Sequence, residues 1–367
     1  MGVKALYLRG GAVRGVYGGA DVVSASVYAA LEGFFGPDGV RGIYMDELEG
    51  RPGRLKSLGR ALAGRFPLYA PAAYAELERG LEDGAGLLFV DQSVYGAACR
   101  EAKALNPRCA VAALFHNDER RYLLRSALRG GAAAELLKLP AVVRAERAAM
   151  ERADLAIALS ARDADELERD YGRRPELILP PMVPDRRPAP KAYRQGEPRY
   201  LFVGSAFKPN VEAARFLARR VMPLVPGSLT VAGRGFDAYA AELGSARVRV
   251  LGFVEDLDGL YARADAVASP VPWGSGIKVK TAEAFMYGMP FVGSPEALEG
   301  YDAPAAGART ARSPADYAQA LTELRDPEHY AAAAAAARSY YLRSLSPAAG
   351  GALLTDALRR ILGDGIV

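Results

Sequence analysis

The chain has 367 residues but only two cysteines and two histidines. Cys99 and Cys109 are too few for a disulfide framework and do not form C-x-x-C. They read as reduced, buried thiols of a cytosolic protein. His116 and His329 lie too far apart in sequence to suggest a His-rich zinc site. No apolar run approaches the roughly 18 residues of a spanning helix. The opening MGVKALYLRGG reads as a first strand, without the length or cleavage pattern of a signal peptide. Charge of one sign is also scarce. The net charge is +4, and because residues 196–367 are balanced, the excess falls within residues 1–195. That does not suggest duplex nucleic acid; it suits an anionic membrane surface or a phosphate-bearing acceptor. The glycine-rich stretch Arg9 to Ala20 contains no G-x-G-x-x-G and no P-loop Gly-Lys.

What is present is an alternation of short apolar strands with helical stretches, long enough for two domains. Strands are expected at Val3 to Leu8, Val40 to Met45, Gly86 to Val90, Cys109 to Phe115, Asp154 to Leu159 and Glu176 to Leu179. A second series follows at Arg199 to Val203, Ser228 to Ala232, Val248 to Leu251, Asp265 to Pro270 and Phe291 to Gly293. Ala132 to Arg152 reads as one long helix bent near Pro140. Ser160 is expected to cap the helix that follows it, with Asp163 as the capping acid. Asn210 is read as the N-cap of a helix over Val211 to Val221. Six prolines between Pro180 and Pro198 mark a semi-extended linker. The expected domains are residues 1–190, residues 191–345, and a last helix over residues 346–367.

The chemistry concentrates in WGSGIKVKTAEAFMYGMPFVGSP, from Trp273 to Pro295. A turn of Gly274, Ser275 and Gly276 leads through Lys278 and Lys280 into a short helix expected from about Thr281 to Tyr287, stopped by Gly288. A helix start offers free N–H groups and partial positive charge, and glycines let an anion approach them. Two ammonium groups beside such a turn suit a diphosphate. Glu283 stands one turn after Lys280, and its carboxylate suits the paired hydroxyls of a ribose. The competing reading has both lysines solvated and Glu283 paired with one of them. The glycine-rich lead-in and the apolar strand behind the helix favour a nucleotide pocket.

This stretch resembles the donor-binding motif of retaining GT-B glycosyltransferases of family 4, in the branch reading G-S-G-x-K-x-K-x-x-E-A. The resemblance covers most of the chain and is most specific from about Tyr200 to Gly300. It implies an α/β fold of GT-B architecture: two Rossmann-like domains facing across a cleft, with a C-terminal helix crossing back to the first. Glu283 matches the second Glu of the family's E-x7-E, which holds the donor ribose. The first Glu, which usually touches the sugar, falls on Ser275. By the same resemblance His116 faces the donor sugar, and Gly18 and Gly19 face the donor phosphates and the acceptor. Gly204 and Ser205 offer backbone and hydroxyl donors, and Phe253 and Val254 present backbone groups to the base. Arg234, Ser275, Gly276 and Ile277 complete the donor contacts. The Arg and Lys that many relatives use for the diphosphate fall on Ser205 and Asn210, which leaves Lys278 and Lys280 to carry that charge.

The resulting expectation is a retaining transferase that moves a sugar from a nucleoside-diphosphate sugar to a glycan, lipid-linked or small-molecule acceptor in polysaccharide biosynthesis. It needs no cofactor and no metal, binds no nucleic acid, and is cytoplasmic or peripheral on the inner face of the membrane. A nucleotide-sugar epimerase and a non-catalytic nucleotide-sugar binder share the architecture and stay open. Two basic stretches bear on the acceptor. Arg51 to Arg65 holds five basic residues and no acid, with Leu55, Leu58 and Leu62 at helical spacing. It is either a helix lying on anionic lipid or one whose leucines enter the core. Arg120, Arg121, Arg125 and Arg129 form either a contact for an acidic acceptor or a solvated face. Glu296 and Glu299 either cap the chain or line the cleft.

Overall fold

The computed structural model describes residues 4–11, 18–45, 70–130, 133–187 and 190–363. The basic stretch 51–65 therefore lies outside the described residues. The chain folds into two units: residues 1–182 together with 350–367, and residues 183–349.

The first unit holds strands β1 (Ala5–Arg9), β2 (Val40–Tyr44), β3 (Leu87–Asp91), β4 (Ala110–Phe115), β5 (Leu155–Ala158) and β6 (Leu177–Ile178). All neighbours pair in parallel in the order β2-β1-β3-β4-β5-β6. Every residue of β1, β3 and β4 is buried, as expected of parallel strands covered on both faces. The covering helices are α1 (Gly19–Phe35), α2 (Pro71–Glu82), α3 (Ala97–Leu105), α4 (Glu119–Gly130), α5 (Leu139–Arg152) and α6 (Ala161–Tyr171). Ser160 caps α6 as expected, its Oγ accepting from the Asp163 N–H at 3.1 Å. The long helix expected over residues 132–152 is instead a 3-10 segment, Ala133–Lys138, followed by α5. Pro140 sits in the first turn of α5 and so begins the helix instead of bending it. Cys99 and Cys109 are buried and unpaired. Burial pushes their thiols up to about 12 and about 11, so they stay neutral.

The second unit holds β7 (Arg199–Val203), β8 (Ser228–Ala232), β9 (Val248–Leu251), β10 (Ala266–Ser269), β11 (Phe291–Gly293) and β12 (Arg309–Thr310), all parallel in the order β12-β11-β10-β7-β8-β9. Its main helices are α7 (Lys208–Phe216), α8 (Leu257–Arg263), α9 (Val279–Met286), α10 (Pro314–Glu323) and α11 (Pro327–Ser344). Helix α7 starts earlier than expected because Pro209 opens its first turn; Asn210 lies inside the helix and Phe207 is the N-cap. A π turn, Leu217–Val221, follows it. The division between the units falls after Met182, ahead of the expected boundary at residue 190. Asp185 is drawn into the second unit by Arg338, whose Nη2 lies 2.6 Å away, and Val183 N–H bonds Leu345 O. The last helix, α12 (Pro347–Leu362), belongs to the first unit from Gly350 on. Gly350 lies so close to Met182 that an added Cβ would meet its Cγ at 2.3 Å.

In both sheets the chain reverses its direction of strand addition beside the first strand, at β1/β3 and at β7/β10. Open α/β sheets bind ligands at the carboxyl ends of the strands at such points.

Gly96, between the 3-10 turn Ser93–Tyr95 and α3, touches α5 directly; an added Cβ would stand 2.0 Å from Ala145 O. Gly96→Ala is therefore expected to cost at least about 2 kcal/mol, read as a lowered midpoint in urea denaturation.

Candidate nucleotide site

In the second unit, β7 ends at Gly204 and β8 at Gly233. The two turns touch: Gly233 has φ 146°, and a Cβ there would lie 2.0 Å from Gly204 O. A Cβ on Gly204 would meet Asn210 Nδ2 at 2.8 Å and Lys280 Nζ at 3.2 Å. The glycines thus leave a shallow floor over which the side chains of α7 and α9 meet. Lys280 Nζ donates to Asn210 Oδ1 at 2.8 Å and lies 4.6 Å from the centre of the Phe202 ring. Asn210 Nδ2 in turn donates to Ser205 O at 2.9 Å. Asn210 is therefore the residue that aims Lys280, a role that reading it as an N-cap does not reveal. Burial, with the Lys278 charge adding to it, pushes Lys280 down to about 7.

Helix α9 starts at the carboxyl end of this sheet without a side-chain cap; its N-cap position is Lys278 itself. Gly276 has φ 61°, which favours glycine and lets the chain turn into the helix. Lys278 Nζ donates to Gly276 O and to Glu296 Oε1, each at 2.7 Å. Nothing in the sequence spacing signals this pairing. Ile277 is buried, with its side chain in the core. Glu283 does not pair with either lysine. Its nearest cation is Arg186, 3.8 Å away, which stacks on Tyr287 with its guanidinium carbon 5.5 Å from the ring centre. Burial pushes the Glu283 carboxyl up. Phe253 is 59% exposed with the Arg234 guanidinium 5.7 Å from its ring centre, while Val254 is half-buried. Two ammonium groups, a carboxylate and an exposed aromatic face thus belong to one set of loops and helix starts in the second unit.

The first unit has its own polar cluster at the β1/β3 switch. Asp91, fully buried at the end of β3, bonds His116 Nε2 at 2.6 Å and accepts from the Tyr7 hydroxyl; Arg9 Nε lies 3.3 Å from it. Arg9 also pairs with Asp21 at 2.7 Å in the first turn of α1, whose N-cap is Gly18 and first residue Gly19. Although Asp91 is buried, the His116 pairing and further hydrogen bonds hold it below the ordinary carboxylate range. The residue types of this cluster are visible in the sequence; their convergence is set by the strand order. Three of the four arginines that follow are already ion-paired. Arg120 and Arg121 pair with Asp170, and Arg125 with Glu166, all on α6. The Arg129 side chain lies outside the described residues. His329 is exposed in the first turn of α11.

Among the described residues no group of His, Cys, Asp and Glu is placed to hold a metal, and no helix is long and apolar enough to cross a membrane.

Residues 197–327 match the family model described as glycosyl transferases group 1. Solved structures of the same fold include HepE from Anabaena in complex with UDP and glucose, at 16% identity and TM-score 0.64, covering 98% of this chain and 100% of that one. WaaG, a glycosyltransferase involved in lipopolysaccharide biosynthesis, matches at 17% identity and TM-score 0.62 over 98% and 100%. The lipopolysaccharide outer core galactosyltransferase WaaB in its apo form matches at 14% and 0.62 over 97% and 99%. No curated protein sequence matches the chain.

A pyrophosphate settling on Lys280 would favour its charged form and raise it above 7. Below pH 7 the lysine is already charged; above it, binding must take up a proton. Calorimetry at pH 8 in buffers of different ionisation heat is expected to show that uptake, with affinity falling as the pH rises from 7 to 9.

Proposed function

With the second unit carrying the group 1 glycosyl transferase domain and the whole chain the GT-B fold, we propose that this protein is a retaining, metal-independent transferase of a sugar from a nucleoside-diphosphate sugar to a hydroxyl acceptor. The observation that carries the reading is the meeting of Lys280, Asn210 and Gly204 at the β7/β10 switch point, beside a helix N-terminus with no side-chain cap. The diphosphate lies against Lys280, Lys278 and the first N–H groups of α9. The ribose bonds Glu283, and the base lies on the loop of Phe253 and Val254 with Arg234 behind it.

In the reaction the bond from the sugar's anomeric carbon to the diphosphate oxygen breaks, and its electron pair stays on the diphosphate. The acceptor oxygen attacks the same face, and its proton passes to the departing phosphate oxygen. Charge therefore grows on that oxygen, where the two ammonium groups and the helix N–H groups are already aimed; such fixed electrostatics supply much of the rate enhancement in many enzymes. No side-chain nucleophile is needed. The acceptor is a glycan or lipid-linked glycan, the class suggested by the lipopolysaccharide work of WaaG and WaaB.

Incubation with a panel of UDP-, GDP-, ADP- and TDP-sugars tests the reading. Nucleoside diphosphate release that depends on acceptor supports it; a changed sugar means an epimerase, and binding alone means a non-catalytic binder. Lys280→Ala is expected to lower turnover at least tenfold with the circular dichroism spectrum unchanged, and full turnover would remove that lysine from the mechanism. Turnover is expected to survive EDTA within about twofold; abolition restored by a divalent cation would overturn metal independence.

A further inference from the structure

We propose that Glu296 supplies the carboxylate that accepts hydrogen bonds from the donor sugar's hydroxyls, replacing an acid that residue 275 does not provide. The inference rests on the nucleotide-sugar reading of the second unit. Glu296 lies 21 positions after Ser275, at the far side of α9 and β11, and nothing in the motif's spacing points to it. The fold brings it back: Glu296 Oε1 is 2.7 Å from Lys278 Nζ and stands 3.2 Å from where a Cβ of Gly274 would be. The carboxylate therefore rests on the glycine turn itself.

Its backbone is fixed on both sides. Ser294 N–H bonds Ser269 O at 3.0 Å, and its hydroxyl bonds Val271 O at 2.6 Å while accepting from the Ala297 N–H at 3.1 Å. Ala297 O accepts from Thr281 Oγ1 of α9 at 2.8 Å. This acid is held by the ends of β10 and β11 and by the helix it faces, and only 18% of its side chain is exposed. Beside it, the Ser275 hydroxyl is buried without a partner in the structure.

The charge of Glu296 settles which part of a nucleotide sugar it can meet. A phosphate next to it would be repelled, so the diphosphate belongs on the Lys280 and Gly204 side of Lys278. The group on the Glu296 side must be uncharged and rich in O–H donors. The sugar bonded to the terminal phosphate is the part of the donor that meets both conditions. Lys278 then links the two: it neutralises the carboxylate and faces the bridging phosphate. Gly274 keeps this closure tight, since its Cβ would also meet Lys278 Nζ at 3.1 Å and press both side chains back by a few tenths of an ångström.

Calorimetry with matched pairs of ligands tests the assignment, using UDP, GDP, ADP and TDP and their glucose conjugates. For the base that binds best, Glu296→Ala and Glu296→Gln are expected to weaken the sugar nucleotide at least tenfold and the bare diphosphate less than threefold. Ser275→Glu in the Glu296→Ala background is expected to recover at least threefold of the lost sugar-nucleotide affinity. Equal weakening of both ligands would reduce Glu296 to a partner of Lys278, and no change in either would remove it from the site; each result overturns the proposal. Wild-type protein that binds no nucleoside diphosphate at all would overturn the nucleotide reading itself and this assignment with it.

Discussion

Two ammonium groups two residues apart at the start of one helix repel each other, and the helix dipole disfavours both. Everything around α9 answers that constraint. Lys278 is neutralised by Glu296 and donates a hydrogen bond to the carbonyl of Gly276. Lys280 has no acid beside it among the described residues; it is held by the Asn210 oxygen and the Phe202 ring, and burial lowers its hold on its proton. A fold under no functional demand would place a Glu or Asp at these positions. On the proposed reading, these lysines, one of them desolvated, are kept for an anion that would complete the charge of Lys280.

The same constraint explains the division of labour along the sheet. Glycine turns at Gly204 and Gly233 remove side chains where the diphosphate would lie. Residues that need side chains sit one step away on helices: Asn210 on α7, and Lys280 and Glu283 on α9. Glu283 lies nearest Arg186, which stacks on Tyr287, and not either lysine. Were Glu283 to reach Lys280, the anion site would be occupied by the chain's own carboxylate.

Most strand positions are legible in buried apolar runs such as Cys109 to Phe115 and Ser228 to Ala232, because parallel strands covered on both faces leave that signature. The helix starts are less legible. Pro140 reads as a bend within one long helix, and the helix after β7 is expected only from Val211; in the structure Pro140 and Pro209 each stand in a helix's first turn, which needs no N–H from proline. The site divides the same way. The G-S-G-x-K-x-K-x-x-E pattern is local and visible. Glu296, Arg186, Asn210 as a partner of Lys280, and Arg9 with Asp91 are long-range convergences that no spacing rule reports. The arginines of α4 resemble an acceptor surface in sequence because their neutralising acids, Glu166 and Asp170, lie on a different helix.

The contact between Gly204 and Gly233 has a mechanical result. A carbonyl oxygen of one turn occupies the place a side chain would take on the other, so the two turns approach as closely as they do only with glycine at 233. The β8 turn continues into Arg234, whose guanidinium lies over Phe253. The floor beneath Lys280 and the support of the aromatic rim are thereby built on consecutive residues of one turn, so a side chain added at Gly233 would displace both.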